Sequence, residues 1–493
     1  SPTRSSSMQI ASAPTGLIRK SLGTGALLVF SATASSPMAV LAGAIVATYA
    51  STGVTGTPLG FLVIAAALLF FSVGYLAMAR YVSSAGVFYA ALAAGFGRFW
   101  GVVAAPVVLL GYNAIQICLY GLLGAVVSDS LGGPWWAWAL AAWAGVALVG
   151  VLKARISVGL LGAVLAVEVV VILLFVLTSF THPAGGSVSF APLAPGNLLV
   201  PGIGGVVAFC AASFVGYESA AVYSEEARSP QAVSRAAYSA LILLGVLYAL
   251  AAWAMAVAVG PDQVVDRSRD PGAGLPFSIL EAHVSPVLGG VATILVVTSV
   301  FAAMVSFHNS IARYAFSLGR ERVLPAVFER VGRGGAPVAG SVLQSAIALP
   351  AVLVFALTGA DPVATMFSWL SGVAAIAVLL MMAVTSVATI AFFRRGGGSL
   401  ESAWQRTVAP AIGAPLVGAA LLTTLVNLSA VLGAPADSTT KWWVPGAVAA
   451  AAAVGLVWAT VLRATRPEVL ENVGQGQRRP LAVIEQDLVG RSL

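Results

Sequence analysis

Two carboxylates, Glu168 and Glu218, are the groups best suited to do chemistry in the apolar body of this chain, because each interrupts a long hydrophobic run. A charge at the centre of a lipid bilayer costs at least ~2.5 kcal/mol even on the mildest scale, so such a side chain faces the protein interior. The residues around Glu168 offer it no partner on its own helix. Its carboxyl group is predicted to bind and release a proton, to contact a cation or an amine, or to make structural hydrogen bonds.

Hydroxyl, amide and imidazole groups in two other apolar runs could complete a polar site. Tyr112 and Gln116 are four residues apart and so share one helix face, where they either bind a ligand or join neighbouring helices. Ser299 and Ser306 also share a face, which indicates either a role in proton coupling and gating or close helix packing. His308 is predicted to be a proton relay, with a structural role as the alternative.

Two of the hydrophobic runs contain residues that disfavour a continuous helix. Residues 31–38 read Ser-Ala-Thr-Ala-Ser-Ser-Pro-Met, and Pro37 would suit the first position of a new half-helix with Ser36 as its N-cap. Residues 211–218 read Ala-Ala-Ser-Phe-Val-Gly-Tyr-Glu, with Ser213 and Gly216 in a similar central position. Unwound backbone at membrane depth is tolerated where it lines a protein-enclosed cavity, so the breaks indicate a binding site. The alternative is a proline kink and a glycine used for close packing.

The elements that position these residues are predicted membrane-spanning helices. Charged residues are 9% of the chain and hydrophobic residues 59%, whereas an average soluble domain is about 25% charged. Residues 21–79 contain no charge, and a spanning helix needs roughly 20 apolar residues. We predict an all-α integral membrane protein with twelve spans, near residues 22–50, 57–80, 99–128, 134–152, 157–180, 199–222, 236–260, 287–318, 338–358, 363–393, 408–432 and 442–463.

The two predicted breaks lie on spans one and six, which cross the membrane in opposite directions. Interrupted helices at corresponding places of two inverted halves are the best sequence pointer to a transporter binding site. Half-helix N-termini present N–H groups to a carboxylate, and half-helix C-termini present carbonyl oxygens to an ammonium. The pair of breaks therefore suits a zwitterion.

Basic residues predict the orientation of the chain. With a cytoplasmic N-terminus, 22 of the 25 Lys and Arg residues fall on inside segments, and Arg267, Arg269 and Lys441 fall outside. We therefore expect a multi-pass protein of the plasma (inner) membrane with both termini cytoplasmic. The same bias explains the net charge of +7, so no nucleic-acid partner is expected.

Other patterns narrow the functional classes. The chain has three histidines and two cysteines, Cys118 and Cys210, and their spacing predicts no metal site. Both cysteines fall inside predicted spans, where buried thiols that pack as small hydrophobes are expected. The sequence shows no nucleotide-binding loop and no nucleophile elbow, so no cofactor and no enzyme activity are expected.

Several motifs resemble the amino acid–polyamine–organocation transporter superfamily over roughly residues 20–460. Phe214-Val-Gly-Tyr-Glu218, followed by Glu225-Glu-Ala-Arg-Ser-Pro230, looks like the family's Phe-x-Gly-Phe-Glu and Glu-Glu-x-x-x-Pro. Residues 85–89 and 309–325 supply weaker matches in the expected order. Major facilitators, the other twelve-helix class, should show a Gly/Asp/Arg-rich loop after span two and a long central loop, which this sequence lacks.

The resemblance implies a LeuT-type fold of five plus five inverted helices with two more at the C-terminal end. The implied parts are an N-terminal tail (1–20), a first repeat (21–181), a second repeat (199–393), spans eleven and twelve (408–463) and a C-terminal tail (464–493). Both tails look polar and mobile.

The resemblance also implies site residues. The implied substrate-binding residues are Ala34, Ser35, Ser36, Tyr112, Gln116, Ala212, Ser213, Phe214, Gly216 and Phe307. Phe214 and Trp369 are candidate aromatic lids over a bound substrate, with packing against other side chains as the alternative. Ala212 stands where many relatives have an aromatic residue, which implies a roomier subsite for the substrate side chain. Glu218 is similar to a family glutamate linked to gating and proton sensing, although it could simply tie the broken helix to its neighbours. Proton-coupled members often have a lysine near position 168, so Glu168 departs from the lysine-based scheme.

These observations favour a secondary transporter, a monomer or homodimer, that moves an amino acid or small amine by alternating access with proton coupling. The rivals within transport are a polyamine or ethanolamine carrier and an amino acid exchanger. A non-transporting sensor is a remote alternative, since its cytoplasmic signalling domain would have to fit in short tails.

Overall fold

The computed structural model describes residues 21–82, 84–152, 154–270, 274–396, 398 and 400–475. Eleven helical segments in this part of the chain are long and apolar enough to cross a membrane. The predicted fourth span forms an apolar helix of 16 residues, Trp135–Gly150. The predicted all-α membrane architecture is therefore confirmed, with one span shorter than the others. The predicted tail at residues 1–20 and the end of the C-terminal tail, 476–493, lie outside the described residues.

The first half of the chain contains spans one to five. Its helices are α1 (Thr24–Ala34), α2 (Pro37–Ala39), α3 (Val46–Thr52), α4 (Thr57–Ala79), α5 (Val87–Phe96), α6 (Arg98–Leu131), α7 (Trp135–Gly150) and α8 (Ala154–Thr181). A π-helical segment, Val40–Ile45, joins α2 to α3.

The rest of the chain contains spans six to twelve. Its helices are α9 (Pro195–Leu198), α10 (Ile203–Phe214), α11 (Pro230–Val259), α12 (Val264–Arg269), α13 (Leu275–His283), α14 (Leu288–Arg320), α15 (Val338–Leu357), α16 (Ser368–Arg394), α17 (Ala409–Val426), α18 (Leu428–Leu432), α19 (Trp443–Thr465) and α20 (Pro467–Asn472). A 3₁₀ segment, Tyr217–Tyr223, follows α10, and a π-helical segment, Pro362–Phe367, leads into α16.

Local sequence explains where several helices begin and end. The Ser229 side chain accepts a hydrogen bond from the Ala232 N–H and Pro230 takes the first position of α11, which are both favoured at a helix start. Gly53 ends α3 in the left-handed conformation, with φ of 66°, that glycine adopts at low cost.

Span one is broken where the sequence predicted. α1 ends at Ala34, and Ser36 has a left-handed conformation, with φ of 50°, before Pro37 begins α2. Ser36 is the N-cap residue, as expected, but its side chain does not cap α2. Its hydroxyl lies 2.9 Å from the Ser299 hydroxyl of α14 instead.

Span six is also broken, at Gly216 rather than at Ser213 among the two residues that predicted the break. α10 continues through Phe214, and the Ser213 hydroxyl donates to the Phe209 carbonyl of the same helix at 2.8 Å. The interruption falls at Val215 and at Gly216, whose φ is 109°. The second half is a 3₁₀ segment rather than an α-helix.

The beginning of the predicted C-terminal tail differs from the expectation. Pro467–Asn472 forms α20, and Val469 and Val473 are buried. The Gly474 N–H donates a hydrogen bond to Glu321 at the end of α14, 3.0 Å away. This part of the tail packs on the helical body because its two valines supply an apolar face.

Candidate functional site

The two helix breaks lie against each other in the interior. The Ser35 hydroxyl donates to the Val215 carbonyl across the breaks at 3.4 Å. A Cβ on Gly216 would lie 2.7 Å from the Ala34 Cβ, so only glycine allows this approach and this φ. Backbone groups freed by both interruptions therefore meet at one buried place.

Aromatic side chains from spans two, six and seven pack next to the first break. The Tyr248 hydroxyl donates to the Ser35 carbonyl at 3.4 Å. The rings of Phe61 and Phe214 lie 5.6 to 6.3 Å from each other and from the Tyr248 ring. Phe214 is thus fully buried in an aromatic cluster. The sequence analysis did not identify Tyr248, whose only signal is a hydroxyl in an otherwise apolar stretch of span seven.

Glu168 belongs to the same region as the first break. Its carboxyl group is 1% exposed, and neither oxygen makes a hydrogen bond of ordinary geometry within the described chain. The Ser299 hydroxyl lies beside it and also contacts Ser36. Spans one, five and eight therefore bring Ser36, Glu168 and Ser299 together, which places an unsatisfied carboxyl group next to unwound backbone.

Glu218 is tied to the second break by two hydrogen bonds. Its Oε2 accepts from the Gly216 N–H at 2.9 Å, and its Oε1 accepts from the Tyr112 hydroxyl at 2.8 Å. The carboxylate occupies the N-terminal end of the 3₁₀ segment, where the helix dipole favours negative charge. We expected this end to face a ligand carboxylate, but a side chain of the protein fills it.

Tyr112 and Phe307 form the wall beside the second break. Their ring centroids are 6.0 Å apart, and a Cβ on Gly216 would lie 2.9 Å from the Phe307 ring. Ser306, next to Phe307, donates to the Phe30 carbonyl of span one at 2.7 Å. The face of α14 that carries Ser299 and Ser306 therefore contacts span one.

Gln116 and His308 lie in a different polar cluster, buried between α6, α14 and α15. Gln116 accepts from the Gln344 amide at 2.6 Å and donates to Tyr120 at 3.0 Å. His308 contacts Gln344 at 2.6 Å and Ser341 at 2.5 Å through its two ring nitrogens. All of these side chains are fully or almost fully buried. The contacts favour the structural alternative for both residues.

Ala212 and Trp369 are less enclosed than the other predicted site residues. Ala212 is half-buried near the end of α10, and Trp369 is half-buried at the beginning of α16. α16 packs mainly on α6 and α17, so it places Trp369 away from span one.

An ion-paired layer joins spans one, six and eight. Arg313 of α14 forms a bidentate pair with Glu226 at 2.5 and 2.9 Å, and their side chains are 3% and 2% exposed. The Arg313 guanidinium lies 4.5 Å from the Tyr223 ring centroid, and Tyr223 stacks on Phe30 of α1 at 4.4 Å. The sequence analysis treated Arg313 as part of a motif and did not predict this pair.

Backbone contacts continue the same layer. The N–H groups of Ser21 and Leu22 donate to the Glu226 carbonyl, and the Arg228 N–H donates to the Leu22 carbonyl. A second bidentate pair joins Arg320 to Glu225 at 2.6 and 2.8 Å. The start of span one, the end of span six and the end of span eight are thus fastened together on the predicted cytoplasmic side.

The chemistry available at the breaks is hydrogen bonding and proton exchange. The described part of the chain contains no group of three or more His, Cys, Asp or Glu residues arranged to hold a metal ion. Hydroxyls, carbonyls and one unsatisfied carboxyl group line the place where the breaks meet.

Comparisons with known proteins identify a family and a fold. The family model described as amino acid permease matches residues 24–457. No curated protein sequence matches the chain significantly.

Two crystal structures of a manganese transporter from Eremococcus coleocola resemble the chain in fold. One is of a mutant and shares 13% identity, and the other, in complex with an aromatic bis-isothiourea substituted compound, shares 15%. Each has a TM-score of 0.50 and covers 88% of this chain and 94% of that chain. With the paired breaks, this likeness confirms the predicted LeuT-type fold.

Proposed function

Because the chain belongs to the amino acid permease family, we propose that it is a secondary active transporter that moves an amino acid or a related small amine across the plasma membrane, coupled to protons. The observation that carries the proposal is the meeting of the two helix breaks at Ser35, Val215 and Gly216. Broken helices are tolerated at membrane depth where they line a cavity, and they bind substrate there through backbone groups.

The polar groups at the breaks support a small zwitterionic substrate. The N-terminus of α2 has no side-chain cap, since the Ser36 hydroxyl contacts Ser299, so its peptide N–H groups can donate to a carboxylate. The Val215 carbonyl, at the C-terminal end of α10, is suited to an ammonium group. We assign Ala34, Ser35, Ser36, Gly216 and Phe307 to the substrate site and place Ala212, Ser213 and Phe214 on its span-six side.

Glu168 supports the proton coupling. The Glu168 carboxyl group is buried and has no hydrogen-bond partner of ordinary geometry among the described residues, so it is stable when protonated and costly when charged. The hydroxyl of its neighbour Ser299 contacts Ser36 at the first break. A change in the protonation of Glu168 would therefore be transmitted to the substrate site through the Ser299 hydroxyl. Gain and loss of this proton would then follow substrate binding and release.

Alternating access supplies the mechanism. Spans one, two, six and seven would rock against a steadier scaffold formed by other spans. The layer formed by Glu225, Glu226, Arg313 and Arg320 would separate during release to the cytoplasm.

Uptake into proteoliposomes tests the proposal. Radiolabelled alanine, glutamate, putrescine and ethanolamine are offered with and without an imposed inward proton gradient. We expect saturable uptake of a compound that carries a carboxylate, and we expect the gradient to increase it. Absence of gradient-stimulated uptake across a broad amino acid and amine panel would contradict the proposal.

A carrier of polyamines or ethanolamine is the second candidate function, and one observation favours it. Glu218 already occupies the N-terminal end of the span-six segment, while Glu168 is free to pair with a cation. Competition by amines alone, with no effect of amino acids, would favour this second function. Uptake driven by an internal amino acid rather than by protons would identify an exchanger.

A further inference from the structure

A short helix covers the outer ends of spans one, five and eight. α13 lies in the connection between spans seven and eight and packs on α8, on α14 and on the π-helical segment of span one. It buries Leu275, Pro276, Ile279 and Leu280 against them. These same three spans carry Ser36, Glu168 and Ser299 deeper in the protein, so α13 lies over the predicted outer side of that cluster.

Two histidines meet where α13 touches α8. His182 directly follows Thr181, the last residue of α8, and His283 is the last residue of α13. Their rings are stacked with centroids 4.5 Å apart and an interplanar angle of 26°, and both side chains are exposed. Two of the three histidines in the chain are therefore paired at one solvent-facing point.

The hydrogen bonds of His182 leave one nitrogen ready to bind a metal ion. Its Nδ1 lies 3.2 Å from the Thr178 carbonyl and 3.1 Å from the Thr181 hydroxyl. A carbonyl oxygen can only accept, so the Thr178 contact favours the tautomer that carries the proton on Nδ1 and leaves the Nε2 lone pair available to a ligand. Histidine ligands of metals commonly donate their other N–H to a backbone carbonyl in this way, which fixes the tautomer and the ring orientation.

The backbone around the pair favours positive charge. α8 and α13 both end at the histidines, so the negative ends of two helix dipoles point to the same place. The side chain of Glu281, the acidic residue of α13, lies over Gly289 at the start of α14. The nearest part of α8 contributes hydroxyls and carbonyls rather than basic groups.

We propose that His182 and His283 bind one divalent transition-metal ion, such as Zn²⁺, and that the ion fastens α13 to the end of span five. Imidazole nitrogens bind Zn²⁺ at about 2.0–2.1 Å. Binding of one ion by both residues therefore requires the exposed His283 ring to leave the stack and turn a nitrogen toward the ion held by His182. Water fills the remaining coordination positions. The site is separate from the substrate site and holds the cover over spans one, five and eight in place.

Metal binding to the purified full-length protein tests the site without any assay of transport. Isothermal titration with ZnCl₂, after removal of any polyhistidine tag, should show one ion per chain. His182→Gln and His283→Gln should each weaken binding by roughly tenfold or more, because each removes one of the two protein ligands. MgCl₂ should not bind, since Mg²⁺ prefers oxygen ligands.

Glu281→Gln is the matched control, as an exposed substitution on the same helix that keeps both imidazoles. It should retain the affinity of the unchanged protein. Equal Zn²⁺ affinity in the two histidine variants and the unchanged protein would overturn the proposal, and so would loss of binding in Glu281→Gln. Because no substrate is used, a negative result here leaves the transport proposal intact.

Discussion

Glu168 is the residue on which the proposed energy coupling depends. We expect Glu168→Gln to keep substrate binding, because the amide resembles the protonated carboxyl group in shape and the proposed substrate contacts lie on the breaks. Uptake should no longer increase when an inward proton gradient is imposed, because glutamine cannot release a proton. The measurement is initial uptake in proteoliposomes at several external pH values, with binding followed separately by titration.

Asp437→Asn provides the control for this change. Asp437 is an exposed carboxylate in the connection between α18 and α19, so its loss should leave the pH dependence unchanged. A Glu168→Gln protein whose uptake still follows the proton gradient would remove Glu168 from the mechanism.

At the scale of single residues, the sequence predicted which side chains lie at the site better than it predicted the groups that they contact. The absence of a partner for Glu168 on its own helix followed from an apolar local sequence, and the structure agrees. The contact of Ser36 with Ser299 joins positions 263 residues apart, which no local pattern can reveal. Tyr112 and Gln116 share a helix face, yet they form hydrogen bonds in different clusters. Tyr112 bonds to Glu218 and Gln116 bonds to Gln344, because neighbouring turns of α6 contact different helices.

At the scale of the helical element, Gly216 controls how closely the two breaks approach. We expect Gly216→Ala to lower the free energy of unfolding by roughly 1–3 kcal/mol, because the residue has φ of 109° and its new Cβ would lie 2.7 Å from the Ala34 Cβ. Substrate binding should weaken as well, since the breaks must move apart. Thermal unfolding in detergent and substrate titration measure the two effects.

Gly446→Ala is the matched control for the glycine. Gly446 lies inside α19, and a Cβ there would meet nothing within 4 Å. Its replacement should leave stability unchanged or slightly higher, since alanine favours a helix over glycine by about 1 kcal/mol. If the two variants unfold at the same temperature, close contact between the breaks is not what Gly216 provides.

The broken elements also show what sequence patterns can and cannot predict. Pro37 predicted the start of α2 because its missing N–H restricts where it can stand in a helix. The break in span six was predicted from Ser213 and Gly216, and it falls at Gly216, whereas the Ser213 hydroxyl bonds to Phe209 on its own helix. In the 3₁₀ segment after Gly216, the Glu218 carboxylate accepts a local hydrogen bond from the Gly216 N–H and a tertiary one from Tyr112 of α6, and the second of these has no signal in the local sequence.

At the scale of the whole molecule, the predicted cytoplasmic side is closed by charge as well as by packing. Glu226 and Arg313 are almost completely buried, and they join the end of span six to span eight. The stack of Phe30 on Tyr223 and the backbone bonds of Ser21 and Leu22 add span one to the same layer. Separation of these contacts is part of the proposed release to the cytoplasm, and we therefore call the layer the inner gate.

The inner gate gives a prediction about how easily a reagent on the cytoplasmic side reaches the breaks, and not only about the free energy of unfolding. Removal of one member of a buried ion pair leaves the other charge uncompensated, at a cost of roughly 3–5 kcal/mol, and that cost falls on the closed state. We therefore expect Glu226→Gln to shift the population toward the inward-open state. A single cysteine at Ser213, with Cys118 and Cys210 replaced by alanine, should react faster with a membrane-impermeant thiol reagent added on the cytoplasmic side.

Glu329→Gln is the matched control, because it removes a carboxylate that pairs with Arg322 in an ion pair where both side chains are about 40% exposed. Exposed pairs contribute little, so its labelling rate should equal that of the unchanged gate. Glu226→Gln combined with Arg313→Gln leaves no uncompensated charge, so its labelling rate should fall between those of the single variant and the unchanged protein. Equal labelling of Glu226→Gln and Glu329→Gln would show that the buried pair does not hold the inner side closed, and the gate would then have to be sought in the aromatic stack.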